Sequence, residues 1–174
     1  MRGYRKRPGT QGFSVPLVGA SLFFIISLFL FASYKNSAYQ QAKKEIYSLY
    51  TANRAFDLDE VYQDGLTAIY AKEYGKTATE AGCEVLEQTG LPYVLLLSQF
   101  SAPVERVYVT NCQLSETGRE KKARTYDYTV SVRFCLEKGD EVLAPEKTMD
   151  FHGTVVMKKK GWFRWLLDGV TLGE

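Results

Sequence analysis

Residues 125–136, with the sequence TYDYTVSVRFCL, alternate between polar and apolar side chains. The apolar members are Tyr126, Tyr128, Val130, Val132, Phe134 and Leu136, and the polar members are Thr125, Asp127, Thr129, Ser131 and Arg133. A period of two is typical of a β-strand with one face buried and the other in solvent. We therefore predict a central strand whose even-numbered side chains face the interior.

Similar patterns on both sides of this stretch predict three more strands. Residues 104–114 are rich in β-branched and aromatic side chains, and the polar run SETGREKKA at 115–123 predicts a hairpin connection. Farther along, the odd-numbered positions include the apolar residues Met149, Phe151, Val155 and Met157. The even-numbered positions include the polar residues Asp150, His152 and Thr154. Residues 162–172 follow three lysines and Gly161, and they predict the last strand. Four consecutive strands with short loops form an antiparallel meander with one buried face.

Helical signals precede the first strand. Asp57 and Glu60 have the spacing of a capping box, and an apolar face follows at Leu58, Val61, Tyr62, Leu66, Ile69 and Tyr70. Gly75 is placed to end this helix. Thr77 and Glu80 repeat the spacing and predict a helix at about 78–88, ended by Gly90. The apolar run PYVLLLSQF at 92–100 predicts a buried helix with Pro92 in its first turn.

An uncharged stretch near the N-terminus predicts a transmembrane helix at residues 13–34. A helix needs about 20 apolar residues to cross the hydrocarbon. The predicted anchor residues are Val15, Leu17, Phe23, Phe24, Ile25, Ile26, Leu28, Phe29 and Leu30. A cleaved signal peptide is the competing interpretation, but its apolar region is usually about 7–15 residues long and ends at a small-residue site. Because this run is longer and no such site follows it, an uncleaved anchor is favoured.

The basic residues before the span predict the orientation of the chain. Arg2, Arg5, Lys6 and Arg7 lie in a tail at residues 1–12, and the positive-inside rule places such a tail in the cytoplasm. The predicted location is the cell membrane, with an extracytoplasmic domain at residues 58–174 after a membrane-proximal helix at 35–57. The fold class is then α+β: an N-terminal transmembrane helix, followed by helices packed on a curved four-stranded antiparallel sheet.

The membrane-proximal segment carries an apolar stripe with helical spacing. Its members are Tyr39, Ala42, Ile46, Leu49 and Phe56, with Asn53 in the same series. One interpretation is a helix that packs on its own domain. The other is a self-association seam through Tyr39, Ile46, Leu49 and Phe56, since a polar residue within such a seam fixes its register. The second interpretation predicts a homo-oligomer in the membrane.

The charge distribution argues against nucleic acid as a partner. The chain has a net charge of +2, and the four basic residues of the tail leave about −2 for the rest. Nucleic-acid binding requires a concentrated basic face. The basic runs at 119–122 and 158–160 are expected to be solvated turns, although such loops also suit an anionic lipid headgroup or a cell-wall polymer.

Residue types that carry catalysis or bind metals are sparse. His152 is the single histidine, and its parity places it on the polar face of its strand. Cys83, Cys112 and Cys135 are an odd number without zinc spacing, and they are interpreted as small buried side chains. The alternative is a disulfide between one pair of them in an oxidising compartment, and the sequence does not indicate which pair. The acidic run at 57–65 departs from a calcium loop at Val61 and Tyr62, so helix capping explains it better. We therefore expect no catalytic residue, no cofactor and no metal.

Helices followed by a long antiparallel sheet resemble the cystatin-like cone of the nuclear-transport-factor-two-like superfamily. The segment Gly161-Trp162-Phe163-Arg164-Trp165-Leu166 is similar to the ending of such domains. With a basic tail and one anchor, the layout is similar to bitopic conjugation and type IV secretion channel subunits. The resemblance implies a scaffold that docks other envelope proteins, or alternatively an anchored module that binds a small apolar ligand or cell-wall polymer. Enzymes of the cone superfamily place an acid inside the cone, whereas Asp127 and Asp150 are predicted on the opposite face.

Overall fold

The computed structural model describes residues 15–51, 65–97, 104–136, 146–162 and 164–173. The chain divides into two compact units, Met1–Tyr34 and Lys35–Glu174. Helix α1, Val15–Lys35, accounts for the described part of the first unit. The large apolar side chains described along α1 are exposed, and they are Leu22, Phe23, Phe24, Ile25, Ile26, Leu28, Phe29, Leu30 and Phe31.

The described helices of the second unit have well-defined ends. They are α2 (Ala38–Leu49), α3 (Leu66–Tyr74), α4 (Glu80–Thr89) and a 3₁₀ helix (Tyr93–Leu97). Ser37 and Thr79 cap α2 and α4, since each side-chain oxygen accepts a hydrogen bond from a backbone N–H three residues later. Gly75 and Gly90 end α3 and α4, as predicted.

Several predicted helix boundaries require correction. Helix α2 ends at Leu49, and residues 52–57 of the predicted membrane-proximal segment lie outside the described residues. Thr79, and not Thr77, caps α4. The expected capping box of Asp57 and Glu60 lies outside the described residues, and α3 begins only after Gly65, whose φ of +78° interrupts a helix. The run after Pro92 forms a short 3₁₀ helix rather than an α-helix.

Four antiparallel strands form one sheet in the order β1-β2-β3-β4. They are β1 (Val104–Arg119), β2 (Ala123–Leu136), β3 (Glu146–Lys160) and β4 (Arg164–Leu172). The expectation of an α+β fold with a four-stranded antiparallel sheet is therefore confirmed. The predicted loop at 115–123 is wrong in extent, because β1 continues through it to Arg119. Polar residues on this exposed strand end still pair with β2, so polarity alone did not mark the turn.

The helices cover one face of the sheet. The even-numbered side chains of β2 from Tyr126 to Leu136 are all buried, which confirms the predicted register. Ala42, Ile46, Leu49 and Tyr50 are fully buried in the same core. The stripe on α2 therefore packs on its own domain, and the predicted self-association seam is wrong for Ile46 and Leu49. Tyr39 is 38% exposed with its ring against Tyr126, and Phe56 lies outside the described residues.

The start of α4 closes the β4 edge of the sheet. The Thr79 N–H donates to the Leu167 carbonyl (2.7 Å), and the Leu167 N–H donates to the Thr77 carbonyl (2.9 Å). Gly82 lies where a Cβ atom would overlap the Leu167 carbonyl oxygen. A helical glycine is normally unfavourable, so its place here follows from the close approach of α4 to β4.

Candidate functional site

The two described hairpin turns lie at the same end of the sheet. Ala123 pairs with Lys158 across β2 and β3, and the Lys159 N–H donates to the Lys122 carbonyl (2.8 Å). The β1–β2 turn and the β3–β4 turn are therefore neighbours, although they are far apart in sequence. We call this region, residues 119–124 and 158–164, the hairpin end.

The hairpin end concentrates positive charge. The chain has 22 basic and 20 acidic residues. Four basic residues lie in the tail, and the hairpin end holds eight basic residues and one acidic residue, Glu120. Ten basic and nineteen acidic residues remain for the rest of the chain. The domain is thus nearly neutral in net charge, although its hairpin end is basic and the rest of it is acidic.

Some of these cations have partners and others do not. Arg119 and Arg124 both approach the Glu116 carboxylate, at 2.6 and 3.8 Å, and Lys158 lies 3.5 Å from Asp168. Arg124 and Lys159 lie over the ring of Trp165. Within the described part of the chain, Lys121, Lys122 and Lys160 have no ion-pair partner. These three exposed ammonium groups are available to an anionic ligand.

A groove connects the basic side chains to the start of α4. Its volume is about 540 Å³, and Lys122, Lys158, Lys159 and Lys160 line one wall. Thr79 and Glu80 line the other, where the Thr79 hydroxyl donates to Asp168 (2.6 Å). Because Glu80 and Asp168 stand beside the lysines, the groove is not a closed anion pocket. The cations instead present a broad basic surface.

Trp162 lies on the β3–β4 turn and is 86% exposed. The turn depends on Gly161, whose φ of +71° is a left-handed conformation that side-chain-bearing residues rarely adopt. An exposed indole beside three lysines combines an apolar surface with positive charge.

The buried titratable groups serve the core. The Tyr50 and Tyr128 hydroxyls are 2.8 Å apart, and the Tyr128 hydroxyl donates to the Thr171 carbonyl (3.0 Å). Burial raises the pKa of Tyr128 to about 12 and raises that of Tyr50 further. Both tyrosines are at most 2% exposed, so a substrate has no access to this pair. A Cβ atom at Gly153 would overlap the Tyr128 hydroxyl, so this glycine leaves room for the bond.

Glu45 on α2 is a buried carboxyl, only 5% exposed. Burial raises its pKa above the ordinary value, and a hydrogen bond with Thr77 and the nearby Lys44 ammonium lower it by less. Its charge also helps to raise the pKa of Tyr74, although burial of Tyr74 is the larger cause. The helical period of the apolar residues does not predict that Glu45 is buried, because Glu45 lies one position from the apolar stripe.

The polar residues of the outer face are dispersed. His152 is exposed with its Nδ1 atom 3.1 Å from the Thr129 hydroxyl. Asp127 is exposed and accepts a hydrogen bond from Thr154 (3.1 Å), and Asp150 is exposed as well. These residues occupy the solvent face of the sheet, opposite the core.

The three cysteines are free thiols at separate places. Burial raises the pKa of Cys83 and of Cys112, so neither thiol is activated. Cys83 lines a second groove of about 350 Å³ between α3 and α4, together with Thr67 and Ala71. Among the described residues, no three acidic, histidine or cysteine side chains lie together as metal ligands would.

The predicted anchor residues that are described lie on α1. Val15 and Leu17 are within the helix, and Phe23 to Leu30 form its exposed surface. Arg2, Arg5, Lys6 and Arg7 lie outside the described residues. Within the described ranges, no single helix meets the length and hydropathy expected of a membrane span; the consecutive helices Gly19–Lys35 and Ala38–Leu49, bent at their junction, meet them only as a pair.

Comparison with protein-family models, curated proteins and solved structures gave no significant match.

Proposed function

We propose that the protein is a single-span membrane protein whose extracytoplasmic domain is an assembly subunit of an envelope-spanning complex. The observation that carries the proposal is the surface of α1, where consecutive large apolar side chains are exposed on every side. Water does not favour such a surface, whereas a bilayer does. The basic tail directs the N-terminus to the cytoplasm and the domain to the other side.

A scaffold role fits the domain better than catalysis. Its buried hydroxyls and its buried carboxyl are enclosed in the core, and the polar residues of its outer face are dispersed. Polar groups that converge in an accessible pocket are the usual mark of a catalytic site. The layout of tail, anchor and domain resembles that of bitopic conjugation and secretion channel subunits, and this resemblance favours a role in conjugative transfer or secretion.

An anchored binding module is the second candidate. The groove between α3 and α4 has a volume of about 350 Å³, which lies in the size range of small-ligand sites. Ala71, Ala78 and Cys83 provide apolar lining. This candidate predicts that a small apolar ligand binds in this groove and not in the core, which side chains fill.

Reporter fusions after Glu174 test the membrane orientation. Alkaline phosphatase should be active there and green fluorescent protein should be dark, because the former folds only outside the cytoplasm and the latter only inside. The reverse pattern would contradict the orientation.

Membranes extracted with a mild detergent then test the assembly role by native electrophoresis. A species larger than the monomer that contains other envelope proteins is expected, and a monomer alone would argue for the binding module.

A further inference from the structure

We infer that the hairpin end binds the anionic headgroups of the membrane in which the chain is anchored. This inference rests on the proposed single-span anchor. It assigns the basic surface at residues 119–124 and 158–164 to a lipid partner and not to nucleic acid or a protein.

Charge is the first argument. Lys121, Lys122 and Lys160 have no ion-pair partner in the described part of the domain, and the rest of the domain is acidic on balance. A basic end on an acidic body is attracted to an anionic surface in one orientation, since the acidic body is repelled. Lysines near an anionic leaflet each contribute to binding, and salt screens the effect.

The exposed indole is the second argument. Trp162 follows Lys160 and Gly161 directly, so the same turn offers an apolar ring and an ammonium group. Tryptophan prefers the interface between headgroups and hydrocarbon, where its ring is apolar on one side and hydrated on the other. An anionic polymer or an acidic protein would explain the lysines, but a lipid surface explains both residue types.

The third argument is the short connection to the anchor. Two residues, Asn36 and Ser37, separate α1 from α2 in the sequence. Tyr39 in the first turn of α2 packs against Tyr126, with ring centroids 6.0 Å apart. Tyr126 is three residues from the start of β2 at Ala123, or about 10 Å. The chain therefore enters the domain over the half of the sheet nearer the hairpin end.

The test uses the full-length protein in vesicles of phosphatidylcholine, with or without phosphatidylglycerol. The phosphatidylcholine carries bromine on its acyl chain near the headgroup, which quenches a nearby indole. The Trp162→Phe variant retains Trp165. Its fluorescence is subtracted from that of the parent protein to give the signal of Trp162. We expect the Trp162 signal to be quenched more strongly when phosphatidylglycerol is present, and we expect added salt to reverse this increase.

Two variants with equal charge change separate the hairpin end from net charge. Lys121→Gln, Lys122→Gln and Lys160→Gln together should return the quenching to its level in phosphatidylcholine alone. Lys44→Gln, Lys72→Gln and Lys147→Gln together remove the same charge elsewhere on the domain and should leave the quenching intact. Circular dichroism checks that both variants are folded.

The possible failures are distinguishable. A chain that leaves the vesicles in alkaline carbonate would overturn the anchor proposal. An anchored chain whose Trp162 quenching is indifferent to phosphatidylglycerol, or equal in the two triple variants, would overturn the lipid inference alone. Loss of binding to isolated cell walls in the first triple variant, with quenching unchanged, would assign the surface to a wall polymer instead.

Discussion

Removal of the hydroxyls of Tyr50 and Tyr128, singly and together, tests the polar link between α2 and the sheet. The Thr171 carbonyl can only accept, so the Tyr128 hydroxyl donates to it. The Tyr50 hydroxyl must then donate to the Tyr128 oxygen, 2.8 Å away. Tyr128 is therefore the middle of a relay, and Tyr50 is its end.

The position in the relay sets the expected magnitudes. Tyr50→Phe removes one terminal donor and should cost roughly 0.5–1.5 kcal/mol. Tyr128→Phe removes both bonds and leaves the fully buried Tyr50 hydroxyl without its acceptor, for a total of about 2–4 kcal/mol. The double variant lacks the Tyr50 hydroxyl that Tyr128→Phe leaves without an acceptor. The double variant should therefore be no less stable than Tyr128→Phe alone, whereas independent sites would make it less stable by about 1 kcal/mol.

Urea unfolding of the domain at residues 36–174, followed by circular dichroism, measures these free energies. All buried core residues lie within this fragment, so it contains its own folding determinants. Tyr47→Phe on the exposed face of α2 is the matched control and should change stability by less than about 0.5 kcal/mol. Additive losses from Tyr50→Phe and Tyr128→Phe would refute the relay.

Three further outcomes are expected from the same unfolding assay. Val130→Asn buries an unpaired amide and should cost at least about 2 kcal/mol, while Ser131→Asn on the outer face should cost less than about 0.5 kcal/mol; equal losses would contradict the strand register. The raised pKa of Glu45 means that ionisation destabilises the fold as pH rises above the ordinary glutamate value of 4.5. Glu45→Gln should therefore be more stable than the parent at neutral pH, with a gain that vanishes in acid, and a constant difference would refute this. Gly82→Ala, which stabilises an ordinary exposed helix, should instead destabilise this one by about 1–3 kcal/mol because the Leu167 carbonyl occupies the space, and a gain in stability would exclude that contact.

The hairpin end combines two basic runs that are far apart in the sequence. Each run by itself predicts a separate solvated turn. Their junction depends on the pairing of Ala123 with Lys158, which a linear pattern does not contain. Similarly, the apolar stripe on α2 is equally compatible with packing in the core of its own domain and with packing against a second copy of the chain. Only the packing of Ile46 and Leu49 against the sheet chose between them.

Local chemistry determined much of the fold directly from the sequence. The alternation in β2 specified both the strand and its buried face, because successive side chains of a strand point to opposite sides. Gly75 and Gly90 marked helix ends; Gly90 adopts the left-handed conformation that favours glycine at this position, whereas Gly75 keeps right-handed angles. The uncharged N-terminal run specified a helix at Val15–Lys35 with apolar side chains all round.

Contacts between distant segments were decided by the tertiary structure alone. Gly82 and Gly153 are glycines because another backbone or side chain approaches them from elsewhere in the chain. Tyr50 meets Tyr128 across 78 residues, and nothing near either residue in sequence indicates the other. Periods and caps are properties of one segment, whereas close approach depends on how two segments pack, so the sequence by itself specified the elements and only the folded chain specified their contacts.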